Sequence, residues 1–172
     1  MGLDIFLFRA NRRGLAKKQA RMEEINKEEN SIYRLEKEEF EKPENQAKLD
    51  ALKQEWEEIY PYVEVAYFRK VNLLVRYFNY EDNCSNQELS KGEIESLVED
   101  CQKVLDLHQQ YPDEDITDKL EELLPTTSGF FFGSTDYDDW YFESVEDVLT
   151  QFKKILNETN WKSEKIYLHC WW

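Results

Sequence analysis

Arg69, Lys70, Asn72 and Arg76 sit within eight positions of one another and carry the chain's best chemistry for holding an anion. Guanidinium groups present fixed forks of N–H donors that match phosphate and carboxylate geometry, and an amide or ammonium beside them adds further donors. A second group lies in PTTSGFFFGSTDYDDWYF, residues 125–142. There Phe132, Tyr137 and Trp140 offer faces for stacking, and Ser134 and Thr135 offer hydrogen bonds. Glycine-flanked backbone with hydroxyls ahead of a helix N-terminus also suits an anion, because free N–H groups and the helix dipole favour negative charge. Together these residues predict a binding site for a small anionic, nucleotide-derived ligand. The stretch matches neither of the glycine-rich phosphate loops, GxxxxGK[ST] and GxGxxG. The competing expectation is that Arg69 and Arg76 pair with Asp136, Asp138 or Asp139 in a structural network.

Those aspartates, with Glu143, form a carboxylate cluster suited to Mg²⁺ or to general acid and base work, as in a metal-dependent hydrolase. They also suit the start of a helix: Thr135 as cap, Asp138 completing a capping box, and acidic residues favoured by the dipole of the first turn. The helical reading is preferred, since the apolar periodicity of 141–156 extrapolates back to this point. His108, His169, Cys84, Cys101 and Cys170 lack the short paired spacing of zinc sites, and no nucleophile elbow occurs. No metal, cofactor or catalytic residue is therefore expected.

The 172 residues suit one domain spanning 1–172, and the net charge of −15 argues against a partner made of nucleic-acid polymer. A basic block at Arg9, Arg12, Arg13, Lys17, Lys18 and Arg21 is expected to pair with the chain's own glutamates. The odd cysteine count, with no Cys-x-x-Cys pair, reads as reduced thiols in a cytoplasmic protein. No apolar run reaches the ~18 residues of a membrane span.

The elements that must position these residues form a mostly helical α+β pattern. GLDIFLFR at 2–9 predicts a strand, and 165–172 an aromatic closing strand. The two termini are expected to pair in one small antiparallel sheet. Charged helices at 15–40 and 44–59, separated by Pro43, predict an αα-hairpin. The apolar face of 62–79 predicts a largely buried helix with Arg69, Asn72 and Arg76 on one polar stripe. Residues 81–89 read as a loop. Ser90 and Glu93 form a capping box opening a helix through Gln110, and a short helix follows at 114–124. Residues 129–133 predict a bent buried strand with Phe130 and Phe132 on one face and Phe131 on the other, and an amphipathic helix runs to Asn157.

The blocks MGLDIFLF, EVAYFRKVNLLVRYF and LLPTTSGFFFGSTDYDDWYF, followed by the aromatic closing strand, resemble a family of small uncharacterised phage, prophage and gut-bacterial proteins. The resemblance implies a phage-linked accessory protein and brings no established catalytic residues. By analogy of class, such proteins act on host defence by sequestering a nucleotide-derived signal or by gripping a host protein. The leading expectation is sequestration of a small anionic ligand without catalysis. The alternative is a protein-interaction module that engages a host protein through its acidic surface or helical hairpin, the third reading is a metal-dependent hydrolase of a nucleotide-derived ligand using Asp136, Asp138 and Asp139, and homo-oligomers are compatible with the first two.

Overall fold

The computed structural model describes residues 2–112 and 114–172. The chain divides into two compact units, one running to Arg9 and resuming at Val63–Trp172, the other Ala10–Tyr62.

The first unit is built on a four-stranded antiparallel sheet in the order β2-β1-β4-β3, from β1 (Asp4–Asn11), β2 (Tyr62–Arg69), β3 (Asn86–Leu89) and β4 (Glu164–Trp171). The N-terminal and C-terminal strands are neighbours, as the α+β reading expects. Strand β3 continues the sheet against β4, with Asn86 opposite His169 and Leu89 opposite Ile166. Alternation decides the faces: Leu3, Ile5, Leu7, Ala66, Phe68, Ile166, Leu168 and Cys170 are buried.

That buried face shares one core with two long helices, α5 (Lys91–Gln110) and α7 (Asp139–Glu158). Ser90 and Glu93 form the predicted capping box at the start of α5. Helix α7 brings Val145, Val148, Leu149, Phe152 and Ile155 to the core, and the Phe152 ring stacks 6.1 Å from both Phe68 and Phe78. A fully buried phenylalanine contributes up to about 3 kcal/mol by transfer from water. Two short helices, α4 (Asn72–Tyr77) and α6 (Thr117–Leu123), complete this unit.

The second unit is the predicted hairpin, but its first arm, expected as one helix over 15–40, is broken at residues 34–36 into α1 (Leu15–Tyr33) and the single turn α2 (Lys37–Phe40), followed by α3 (Pro43–Ile59). Pro43 stands at the first position of α3, where its missing N–H costs nothing. Ile25, Ile32, Leu49 and Leu52 form a small separate core against Phe40, Trp56 and Ile59. Arg21 links the two long helices through paired 2.7 Å hydrogen bonds to Glu55, with Glu28 at 3.0 Å and Glu24 at 3.2 Å. Those bonds, Glu55 first, raise the guanidinium pKa further, and Arg21 in turn lowers that of Glu55. Internal pairing of the basic block is thus seen at Arg21, and at Arg9 with Glu164.

Four local expectations are corrected. Residues 62–79 are strand β2, a turn at Lys70 and then α4, so Arg69, Asn72 and Arg76 do not share a helical stripe. YVEVAYFR is apolar at both helical and strand periods, and its β-branched and aromatic residues make it a strand. The 81–89 loop contains β3, with Glu88 and Gln87 facing Tyr167 and Leu168. Residues 129–133 form a turn, because Phe131 takes a left-handed φ of 69° that no strand can continue. Helix α7 is capped by Asp138, whose carboxylate accepts the Tyr141 N–H at 3.1 Å, and Thr135 lies ahead of the helix.

Candidate functional site

Three chain segments meet in the first unit around the backbone of Leu3. The Leu3 N–H donates to the Phe131 carbonyl at 3.2 Å, and the Lys70 N–H donates to the Leu3 carbonyl at 2.8 Å. Both partners are left-handed, Lys70 at φ 60° and Phe131 at φ 69°. For L-residues that conformation costs roughly 1–2 kcal/mol each and persists only where surrounding contacts enforce it. Gly133, at φ 93°, lets the loop pass close by: a Cβ there would lie 3.2 Å from the Lys70 Cβ.

Asn72 ties the loop from the other side. Only 2% exposed, it donates from Nδ2 to the carbonyls of Ser134 (2.8 Å) and Phe132 (3.3 Å), and its Oδ1 accepts the Thr127 N–H at 3.2 Å. One side chain therefore satisfies three backbone groups of a loop that has no strand or helix to satisfy them. The Thr126 hydroxyl donates to the Thr135 carbonyl at 2.9 Å, and Ser134 Oγ accepts the Asp136 N–H at 3.0 Å. Phe132 turns inward, edge-on to Trp172 at 5.3 Å. Its ring also fixes Gly129, where a Cβ would fall 2.7 Å from it.

The structure thus gathers Lys70, Asn72, Phe132 and Ser134 at one junction, with Thr135 attached through Thr126. Arg69 lies beside them: a Cβ on Gly2 would sit 3.6 Å from the Arg69 Nε and 3.7 Å from the Lys70 Cε. Trp140 lines the small space behind Asn72, together with Ser134, Asp136 and Ser144. Tyr137 belongs to the other end of the loop, edge-on to Tyr141 at 4.8 Å, with its hydroxyl accepting the Thr126 N–H at 3.4 Å. Arg76 is exposed on the last turn of α4, and no hydrogen bond or ion pair joins it to the loop among the described residues.

The space bounded by Val71, Asn72, Ser134, Trp140 and Tyr141 measures about 10 Å³. That is at most the room for one water, against ~300 Å³ or more for a ligand pocket. The aspartates do not form the expected network either: among the described residues no ion pair links Arg69, Lys70 or Arg76 to Asp136, Asp138 or Asp139. Asp138 serves as a helix cap. No group of three potential metal ligands forms among the described residues.

What the junction presents to solvent is aromatic. Phe130 is 79% exposed and Phe131 44%, their rings edge-to-face at 4.3 Å. Sequence reasoning missed this pair, placing both rings in a bent buried strand with Phe130 on the face of Phe132. The glycines on either side are the available signal, since they mark a bend whose apex residues are free to leave the core. Arg69 and Lys70 are also exposed and free of ion pairs among the described residues, so a cationic and aromatic knob stands on a chain of net charge −15.

The thiols carry no reactive environment in the core: burial pushes both Cys101 and Cys170 up to about 12, while Cys84 is exposed. No helix is long and apolar enough to cross a membrane among the described residues. Comparison with protein-family models, curated proteins and solved structures returned no match.

Proposed function

We propose that this protein is a phage-type accessory module that grips a partner protein through the Phe130–Phe131 knob and its flanking Arg69 and Lys70. The observation that carries this reading is the exposure of two adjacent phenylalanines on a loop anchored from both sides, with Phe131 held in a disfavoured backbone conformation. A rigid aromatic pair entering an apolar socket is the arrangement of an interface hot spot, because little entropy is lost on docking. The unpaired cations predict a socket rimmed by carboxylates. Replacing Phe130 with Ser and Phe131 with Gly is expected to leave the circular dichroism spectrum unchanged and to remove one protein from those that co-purify from host cells. An identical set of co-purifying proteins would contradict the reading.

A second reading is favoured by the same cations. Arg69 and Lys70, without ion pairs among the described residues, suit capture of a nucleotide-derived anion at the surface with a phenylalanine ring as stacking face. Nucleotides, cyclic dinucleotides and ADP-ribose derivatives test it by thermal shift. A ligand at a hundredfold above its Kd adds ~2.7 kcal/mol, and no shift with any of them removes this reading.

A further inference from the structure

At the opposite end of the charge scale, the first unit carries a cavity of about 210 Å³ between the end of α5, the start of α6 and the start of α7. Its walls are aromatic: Tyr111, Tyr137 and Phe142, with His108 stacked on Phe142 at 3.7 Å and 12° between planes. Its rim carries Glu114 and Asp115, neither of which forms an ion pair among the described residues. The Asp115 carboxylate is held in place by the Thr117 N–H at 3.1 Å, and that bond keeps it ionised below the ordinary carboxylate range. The C-terminal end of α5 adds the negative pole of a 20-residue helix.

Aromatic faces, carboxylates and a helix C-terminus all favour one kind of guest, a cation. The chain already uses one of these faces in that way, because the Lys119 ammonium sits 4.7 Å from the centre of the Tyr111 ring. The size is decisive on a second point. A space of about 210 Å³ accommodates the end of one basic side chain. His108 and Pro112 also border an adjoining cleft of about 560 Å³ whose lining includes Asp106 and Glu146. A chain entering the cavity with one basic residue therefore finds carboxylates for a second one next to it.

We infer that this aromatic cavity and its adjoining cleft bind a basic peptide segment of a partner protein, one lysine or arginine head entering between Tyr111 and Phe142 and a second pairing with Asp106 and Glu146. The site is separate from the Phe130 knob, opposite to it in charge, and stands or falls without it.

The test is titration of the full chain with the blocked peptide Ac-Arg-Gly-Arg-NH2, with methylguanidinium as the single-cation control. It is read by calorimetry and by the NMR ring signals of Tyr111 and Phe142. Saturable peptide binding is expected, with ring-current shifts at those two residues and clearly weaker binding of methylguanidinium. Glu114→Gln with Asp115→Asn should weaken the peptide about threefold to tenfold, the effect of two exposed ion pairs. Lys119→Met should strengthen it about threefold by freeing the Tyr111 face. Glu23→Gln with Glu38→Gln in the hairpin removes the same charge elsewhere and should change little. Absence of binding overturns the inference. So does an equal loss in the hairpin variant, which would mean diffuse attraction to an acidic chain, and so does methylguanidinium binding as well as the peptide.

Discussion

Asn72 shows how much a single buried amide can organise. Its three hydrogen bonds reach Thr127, Phe132 and Ser134, across more than fifty residues of sequence. Asn72→Ala would leave those backbone groups with no partner in a space too small to hydrate them all. The expected loss is about 3 kcal/mol in urea unfolding, with unsatisfied buried groups costing roughly 1–3 kcal/mol each. Phe131 makes the opposite prediction. Because its left-handed φ is disfavoured for every residue but glycine, Phe131→Gly should unfold at the same urea concentration as the parent or a higher one, while losing the partner. A clear loss of stability in that variant would mean that the ring is needed for folding and that the left-handed φ stores no strain. The thiols give a third check at this scale. Native protein should react with one equivalent of a disulfide reagent, at exposed Cys84, and with three once unfolded, since burial pushes Cys101 and Cys170 up to about 12.

At the scale of elements, the helices that declare their own ends were legible and the segments with two valid periods were not. Helix α5 starts at the capping box of Ser90 and Glu93 as the sequence indicates, and α7 follows its apolar stripe. Strand β2 was hidden, because an eight-residue run that is apolar at nearly every position satisfies a helical face as well as alternation. Strand β3 was hidden for another reason. NQEL has little β-propensity of its own and is extended because β4 offers it a partner. The site was legible in part: Asn72, Phe132 and Ser134 do meet, but the outward turn of Phe130 and Phe131 rests on one positive φ that residue type does not encode. Strand β4 also carries a pH dependence. His169 lies against Phe6 and Phe8 with its Nδ1 2.9 Å from Asn86, and burial lowers its pKa from 6.5. As pH falls, the unfolded chain takes up this proton first. The stabilisation is therefore complete above pH 6.5 and is lost as the pH drops through the lower folded-state value. His169→Asn should flatten the fall in urea midpoint between about pH 7.5 and about pH 5 relative to the parent, and an unchanged slope would contradict this assignment.

At the scale of the whole molecule, a net charge of −15 sets the background against which two local features stand out. One is a cationic, aromatic knob and the other an aromatic cavity with an acidic rim, both in the unit that holds the sheet. The hairpin of Ala10–Tyr62 keeps a core of its own. The function proposed for the knob is to grip a partner protein. The most direct measurement places the photo-crosslinker benzoylphenylalanine at position 130, irradiates it in host cells and identifies the adducts by mass spectrometry. One dominant protein is expected, joined at a peptide that carries apolar side chains beside carboxylates, and lost when Arg69 and Lys70 are both changed to Glu. No adduct at position 130, or the same adducts from the crosslinker placed at Glu38, would contradict it.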